Sequence, residues 1–121
     1  RIAIAGVSMG ACVVYGAIPL DRRIRAAVAL MGSPERISPE GAAAAVDHFY
    51  PTALLSITAE RDSIVPPAAA RALHLGLAPR YAGAADRLSY VTIPGAPHFM
   101  RAEDWERAVG DTCAWLCRFV L

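Results

Sequence analysis

The segment Gly6-Val7-Ser8-Met9-Gly10 carries a serine between two glycines, in the pattern G-x-S-x-G. An apolar stretch that predicts a strand precedes this serine and a helix-like stretch follows it, so it falls in a tight strand-to-helix turn. We expect Gly6 and Gly10 there because side chains would collide in such a turn, which leaves Ser8 strained and its hydroxyl exposed. The amide of Met9 then faces a developing oxyanion. The alternatives are a turn that only packs closely and a phosphate loop, although the chain has no lysine for a P-loop.

Two further polar residues follow predicted strands and would complete this chemistry. A serine hydroxyl is a weak nucleophile that needs a base, and the base needs an acid to orient it. Asp62 follows the third predicted strand, and His98 follows the fourth. Because the carboxyl ends of parallel strands share one edge of a sheet, we expect both residues to meet Ser8 there. Glu60, two residues before Asp62, is an alternative acid.

Predicted strands and helices alternate along the chain. Apolar runs rich in alanine and branched residues predict strands, and the stretches between them predict helices. The alternation predicts right-handed βαβ units and an α/β fold, with a parallel sheet of about four strands and flanking helices. The first strand is expected to be buried on both faces. The strands are predicted at 1–6, 24–31, 53–59 and 88–93, and the helices at 8–17, 38–47, 67–77 and 102–120.

These motifs resemble the α/β-hydrolase superfamily, and within it the dienelactone-hydrolase and prolyl-oligopeptidase-like esterases. The resemblance is carried by G-V-S-M-G-A at 6–11, M-G-S-P at 31–34, R-D-S-I-V-P-P at 61–67 and G-A-P-H-F at 95–99. It spans the whole chain but only the carboxyl-terminal half of the family fold. Residues 1–121 are therefore expected to form one partial domain of a longer serine hydrolase. The amino-terminal strands and the loop that donates a second oxyanion amide would be missing.

The resemblance implies a role for each residue of the site. Ser8 would be the nucleophile, His98 the general base and then the general acid, and Asp62 the residue that orients His98. The backbone amide of Met9 would stabilise the oxyanion. The substrate would be a small molecule with an ester, thioester or amide carbonyl, cleaved through an acyl-enzyme without a metal or an organic cofactor. An acyltransferase would use the same residues, and a non-catalytic scaffold for binding is the alternative from another class.

Three residues are candidates for the wall of a substrate pocket. Phe99 and Met100 directly follow the predicted base, and His48 lies in the connection between the second and third strands. Plain packing is the alternative for the first two, and a surface loop is the alternative for His48. We expect His74, which falls inside a predicted helix, to be structural or solvated.

Composition excludes several classes of protein. Hydrophobic residues make up 55% of the chain, charged residues make up 19% and the net charge is +1. These values exclude disorder, and the absence of a basic stripe argues against nucleic acid as a partner. Every apolar run is shorter than the roughly 18 residues of a membrane helix, so we expect no membrane span. The first strand, without neighbours on one side, is expected to be an exposed edge that pairs with a missing amino-terminal half or a second copy.

The cysteines indicate a reducing, cytoplasmic compartment, because their number is odd and their spacing suits no disulfide framework. Cys113 and Cys117 are expected to be small buried hydrophobic residues of the last helix. That helix is predicted to turn one stripe toward the sheet, formed by Trp105, Ala108, Val109, Cys113 (or Thr112), Leu116 and Val120. Trp105 and Trp115 are expected to anchor it in the core.

Overall fold

The computed structural model describes residues 1–36 and 42–121, which contain four strands and three α-helices. All strand pairs are parallel, and the strands lie side by side in chain order. The predicted α/β class and parallel sheet are therefore confirmed. The strands are β1 (Ile2–Val7), β2 (Ile24–Leu30), β3 (Ala53–Ala59) and β4 (Leu88–Ile93), and the helices are α1 (Met9–Ala17), α2 (Ala68–Leu77) and α3 (Ala102–Val120).

The inner strands differ from the outer strand β1 in burial. All of β3 is buried, as is all of β2 apart from Arg25, which suits their alanine and branched aliphatic residues. In β1 the burial alternates, and Ala3, Ala5 and Val7 are exposed. The prediction that β1 is buried on both faces is wrong. This strand has only β2 beside it in the described part of the chain, and α1 packs against only one of its faces.

Two hydrophobic cores lie on the two faces of the sheet. The first lies under α1 and α2 and contains Tyr15 and Leu77, and the second lies under α3 and contains Ile57 and Trp115. Tyr15 donates a hydrogen bond to the Ser56 hydroxyl (2.8 Å), and the Trp115 indole donates one to the Ala53 carbonyl (3.2 Å). Both large side chains are therefore buried with their polar atoms satisfied.

Helix α3 has the predicted bounds, and most of its predicted stripe faces the core. Ala108 is buried, and Trp105, Leu116 and Val120 are partly buried against the same core, while Thr112 is half-buried. Its buried residues include Ala108 and Trp115, whereas Val109, Cys113 and Cys117 are exposed. The predicted stripe is thus wrong at Val109 and Cys113, and the burial predicted for the two helical cysteines is wrong. Trp115 is 9% exposed and lies in the core between α3 and the sheet, as predicted. No helix in the described ranges has the length and apolar character needed to span a membrane.

The connections before β3 and β4 contain short helices of another type. Residues Ala42–His48 form a 3-10 helix where an α-helix was predicted over 38–47, and the predicted start of that helix at 38–41 lies outside the described residues. Residues Ala78–Arg87 form consecutive 3-10 turns that the sequence pattern did not predict. Ala84 interrupts these turns with a non-helical conformation, so the segment has no single helical period to recognise.

Candidate functional site

The turn between β1 and α1 holds Ser8 in a strained conformation. Ser8 has φ 57° and ψ −114°. Residues other than glycine rarely adopt a positive φ, so the predicted strain is confirmed. Such a conformation costs on the order of 1–3 kcal/mol and persists only where the surroundings hold it. The Ser8 amide donates to the Leu30 carbonyl (2.8 Å), and the Cys12 amide donates to the Ser8 carbonyl (3.2 Å). Strand β2 and helix α1 therefore fix the serine from both sides.

The two glycines of the turn have different reasons to be glycine. A Cβ atom on Gly6 would lie 2.3 Å from the Gly10 carbonyl oxygen, a distance that forces the backbone apart. A Cβ atom on Gly10 would meet nothing within 4 Å. The predicted collision is therefore confirmed at Gly6 and wrong at Gly10, because it is the Gly10 backbone that approaches Gly6.

Asp62 is nearly inaccessible and accepts three hydrogen bonds. Its side chain is 1% exposed, and its Oδ1 atom accepts from the amides of Ile64 (3.0 Å) and Val65 (2.8 Å). Its Oδ2 atom lies 2.7 Å from Nδ1 of His98. The two amides hold the carboxylate in one rotamer and leave its second oxygen to the imidazole. Glu60, the alternative acid, is exposed and makes no hydrogen bond to His98.

His98 bridges the serine and the aspartate. Its Nε2 atom lies 2.9 Å from the Ser8 hydroxyl oxygen, and its side chain is 10% exposed. With a carboxylate facing Nδ1, the ring proton belongs on Nδ1, and the Nε2 lone pair is left to accept from the Ser8 hydroxyl. The structure thus brings together the three side chains that the sequence placed after separate strands.

Backbone hydrogen bonds tie the Asp62 loop to the His98 loop. The Glu60 amide donates to the Ile93 carbonyl (3.1 Å), and the Arg61 amide donates to the Ala96 carbonyl (2.9 Å). These bonds extend the β3–β4 pairing beyond the ends of the strands. Sequence reasoning missed this link, since backbone pairing between two loops leaves no mark on residue type.

Exposed apolar side chains directly follow Ser8 and His98 in the chain, and another lies two residues after Asp62. Met9 is 62% exposed, Phe99 is 81% exposed and Ile64 is 46% exposed. The Phe99 ring contacts the His98 ring edge to face, with centroids 5.5 Å apart. Met9 is also the first residue of α1, so its amide has no acceptor within the helix. Ile64 was not singled out from the sequence, although it lies in the I-V-P-P stretch after Asp62.

The other two pocket candidates lie elsewhere. Met100 is buried in the core between the sheet and α3, so it supports the loop after β4 from below and offers no surface to a substrate. His48 is exposed just before the amino end of β3, beside Asp47, which pairs with Arg80 ahead of β4. The carboxyl ends of the strands, where Ser8 and His98 meet, are at the opposite end of the sheet. The structure therefore brings neither residue to the site, and both candidates are corrected.

No protein-family model and no curated protein matches this chain. Many solved structures resemble it, including the three that follow. An esterase domain from Rhodothermus marinus matches with a TM-score of 0.80 and 16% identity, over 98% of this chain and 61% of its own. A protein from Klebsiella pneumoniae, provisionally assigned as a dienelactone hydrolase, matches with a TM-score of 0.77 and 17% identity, over 98% of this chain and 52% of its own. A puromycin-hydrolysing peptidase from Mycobacterium tuberculosis matches with a TM-score of 0.80 and 20% identity, over 99% of this chain and 22% of its own.

These identities are low, so the likeness concerns the fold. This chain spans 61% or less of each of the three proteins, while almost all of it is matched. The matched structures share the parallel sheet with flanking helices that is described above. The chain therefore has the α/β-hydrolase fold, of which it spans a part.

Proposed function

We propose that this chain is the catalytic part of a serine hydrolase that cleaves a carboxylic ester, thioester or amide. The observation that carries the proposal is the continuous hydrogen-bonded series from the Ser8 hydroxyl through both His98 nitrogens to the buried Asp62 carboxylate. A serine next to a base, with the base oriented by a third group, is the arrangement that activates a hydroxyl for acyl transfer. The esterase and hydrolase names among the matched structures support the same reaction class.

In the proposed mechanism, the Ser8 oxygen attacks the substrate carbonyl carbon while His98 Nε2 takes the hydroxyl proton. The carbonyl π electrons move to its oxygen, and the resulting oxyanion accepts a hydrogen bond from the Met9 amide. Asp62 stays ionised and stabilises the imidazolium through Nδ1. His98 then gives its proton to the leaving alcohol, thiol or amine as the bond to carbon breaks, which leaves an acyl group on Ser8.

Water resolves the acyl-enzyme through the same groups. His98 removes a proton from water, the hydroxide oxygen bonds to the acyl carbon, and the Ser8 oxygen leaves with the proton returned by His98. The proposed mechanism assigns one oxyanion donor to this chain, the Met9 amide. Loss of one such donor costs about 2.7–4 kcal/mol in the transition state, or a factor of about 10²–10³ in kcat. Full activity is therefore proposed to need a second amide from a segment outside this chain.

The proposal is tested by treating the purified chain with a fluorophosphonate and recording its intact mass. We expect one adduct on the wild type and none on Ser8→Ala. Ser63→Ala is the matched control, because Ser63 is an exposed serine one residue from Asp62. A wild type that is folded by circular dichroism yet forms no adduct, or an adduct that survives Ser8→Ala, would contradict an activated Ser8.

We also propose that another polypeptide segment pairs with β1. Its single strand neighbour in the described residues leaves one backbone edge open, and its exposed Ala3, Ala5 and Val7 leave one face uncovered. Both features support a further segment beside β1 in the working protein. The segment would be an amino-terminal half or a second copy of the chain. In hydrogen exchange, the β1 amides are expected to exchange faster than those of β3 in this chain and to slow when the upstream-extended chain is used. Equal protection of β1 and β3 in this chain while it is monomeric by light scattering would contradict the proposal, whereas equal protection in a dimer would identify the second copy as the partner.

The three cysteines support a reducing, cytoplasmic location within the same proposal. All three are free thiols, and Cys113 and Cys117 are exposed. Exposed free thiols persist where the redox environment keeps them reduced.

A further inference from the structure

A groove separates α2 from the edge strand β4, on the face of the sheet that α1 and α2 cover. Its volume is about 710 Å³, within the range of small-molecule sites. One side is formed by residues at helical spacing on α2, including Arg71 and Leu75, and the floor includes Tyr90 and Thr92 of β4. Glu60 closes the end nearest the Asp62 loop. The groove shares no lining residue with the proposed catalytic series.

Two opposite charges face this groove without neutralising each other. Glu60 and Arg71 both line it and both are exposed, and in the described part of the chain neither side chain takes part in an ion pair or a hydrogen bond. No other charged residue lines the groove in the described part of the chain, so the groove presents one carboxylate and one guanidinium. A ligand that satisfies both must itself carry a cationic and an anionic group.

Between these charges the floor of the groove on β4 is polar, and the wall on α2 is apolar. The Tyr90 hydroxyl accepts from Thr58 (3.1 Å), which leaves its own O–H free to donate. The Tyr90 ring packs against His74, whose buried Nδ1 has no hydrogen-bond partner among the described residues. Leu75, 62% exposed, adds an apolar surface on the helix side.

We propose that this groove binds a short zwitterionic peptide. Glu60 takes the peptide's ammonium group, Arg71 takes its carboxylate as a two-pronged donor, and an apolar side chain rests on Leu75. Glu60 and Pro66 are the two ends of the loop that carries Asp62, and both line the groove. A bound peptide therefore contacts both ends of that loop without touching Ser8. This inference does not rest on the proposed hydrolysis, because it concerns binding alone.

The test is an amide chemical-shift titration of the full chain carrying Ser8→Ala, so that no peptide is cleaved. The probes are leucyl-leucine, its carboxyl-terminal amide and its N-acetyl form, which differ only in the two charges. Leucyl-leucine is expected to shift the Ala68, Ala72 and Tyr90 amides saturably, and each analogue is expected to bind at least about tenfold more weakly, as the loss of one charged hydrogen bond predicts. Equal binding of all three peptides, or no saturable shift at these amides, would overturn the proposal.

Matched variants give an independent measurement. Glu60→Gln and Arg71→Gln are each expected to weaken leucyl-leucine binding at least about tenfold. Glu106→Gln and Arg107→Gln make the same chemical changes on the exposed side of α3, across the sheet, and are expected to bind as the parent does. Unchanged affinity in both groove variants would overturn the proposal. Failure of the fluorophosphonate test would leave this result untouched, since binding is measured without Ser8.

Discussion

The turn that carries Ser8 extends from an edge strand, whereas the loops that carry Asp62 and His98 extend from two strands that pair with each other. Strand β1 has one strand neighbour in the described part of the chain, and every second residue along it is exposed. The loops after β3 and β4 are joined by two backbone hydrogen bonds. The acid and base are thus assembled by contacts within one half of the sheet. The nucleophile depends on a strained turn held by close packing.

The largest expected effect follows from removing the acid that orients His98. Asp62→Asn should slow phosphonylation of Ser8 by about 10⁴-fold, because a neutral amide no longer fixes the Nδ1–H tautomer of His98. Labelling rates by intact mass measure the loss, and circular dichroism checks the fold. Asp86→Asn, an exposed carboxylate ahead of β4, should label at the parent rate. A rate for Asp62→Asn within tenfold of the wild type would show that another group orients His98.

The next largest effect is expected from disturbing the packing of the turn that carries Ser8. Gly6→Ala should lower the free energy of unfolding by about 3 kcal/mol, since its Cβ atom would lie 2.3 Å from the Gly10 carbonyl oxygen. Gly10→Ala is the matched control, and it should raise stability by up to about 1 kcal/mol, because it meets open space inside a helix. Urea unfolding measures both. Equal effects of the two substitutions would contradict the packing account of the turn.

A smaller effect concerns the far end of the His98 loop. The Asp104 carboxylate accepts from the Arg101 amide (3.2 Å) and guanidinium (2.9 Å), and these bonds cap α3. The Arg101 hydrogen bonds hold the pKa of Asp104 below its ordinary value. The stabilisation is therefore present above the ordinary carboxyl pKa and is lost as pH falls through the lowered value.

Asp104→Asn should accordingly lower the urea midpoint near pH 7, and the gap to the wild type should close under acid conditions. Glu106→Gln, at an exposed position farther along α3 that makes no ion pair with the described residues, is the control and should leave the midpoint unchanged. A gap that stays constant from neutral to acid pH would argue that charge is not what Asp104 contributes.

The smallest effect is expected at His74, on α2 beside β4. Burial lowers the pKa of His74 from its ordinary value of 6.5, so the fold favours the neutral ring. Unfolding then takes up a proton below pH 6.5, and stability declines as pH falls from there toward the lowered value. His74→Phe should lose part of this decline, measured by urea unfolding at a series of pH values. His48→Phe, at an exposed histidine, should retain it.

Much of the site could be predicted because its information is local. The spacing of Gly6 and Gly10 around Ser8 predicts the tight turn. Asp62 and His98 follow short apolar runs, which the alternation of strands and helices along the chain identifies as strands. The choice between Asp62 and Glu60 was harder, since both follow β3. In the structure it is Asp62 that lies within hydrogen-bond distance of His98, and its buried carboxylate also accepts from Ile64 and Val65. The catalytic roles themselves stay predictions until Ser8 is tested.

The predictions that failed depend on contacts between distant segments. The inward stripe of α3 was wrong at Val109 and Cys113, because apolar residues beside a helical stripe fit the same pattern and only packing against the sheet shows which of them are covered. Met100 was misplaced for a similar reason. Its apolar side chain suits a pocket wall or a core equally well, and only the packing of α3 distinguishes the two.

The sequence by itself determined the order of strands and helices, the parallel sheet and the three residues at its carboxyl edge, because period, turn residues and chain order are properties of neighbouring positions. The tertiary structure alone decided that Val109 and Cys113 of α3 are exposed, that Gly6 and not Gly10 must lack a side chain, and that Glu60 and Arg71 face one groove. Each of those outcomes depends on the distance between segments far apart in the chain, and that distance is fixed only when the helices pack against the sheet.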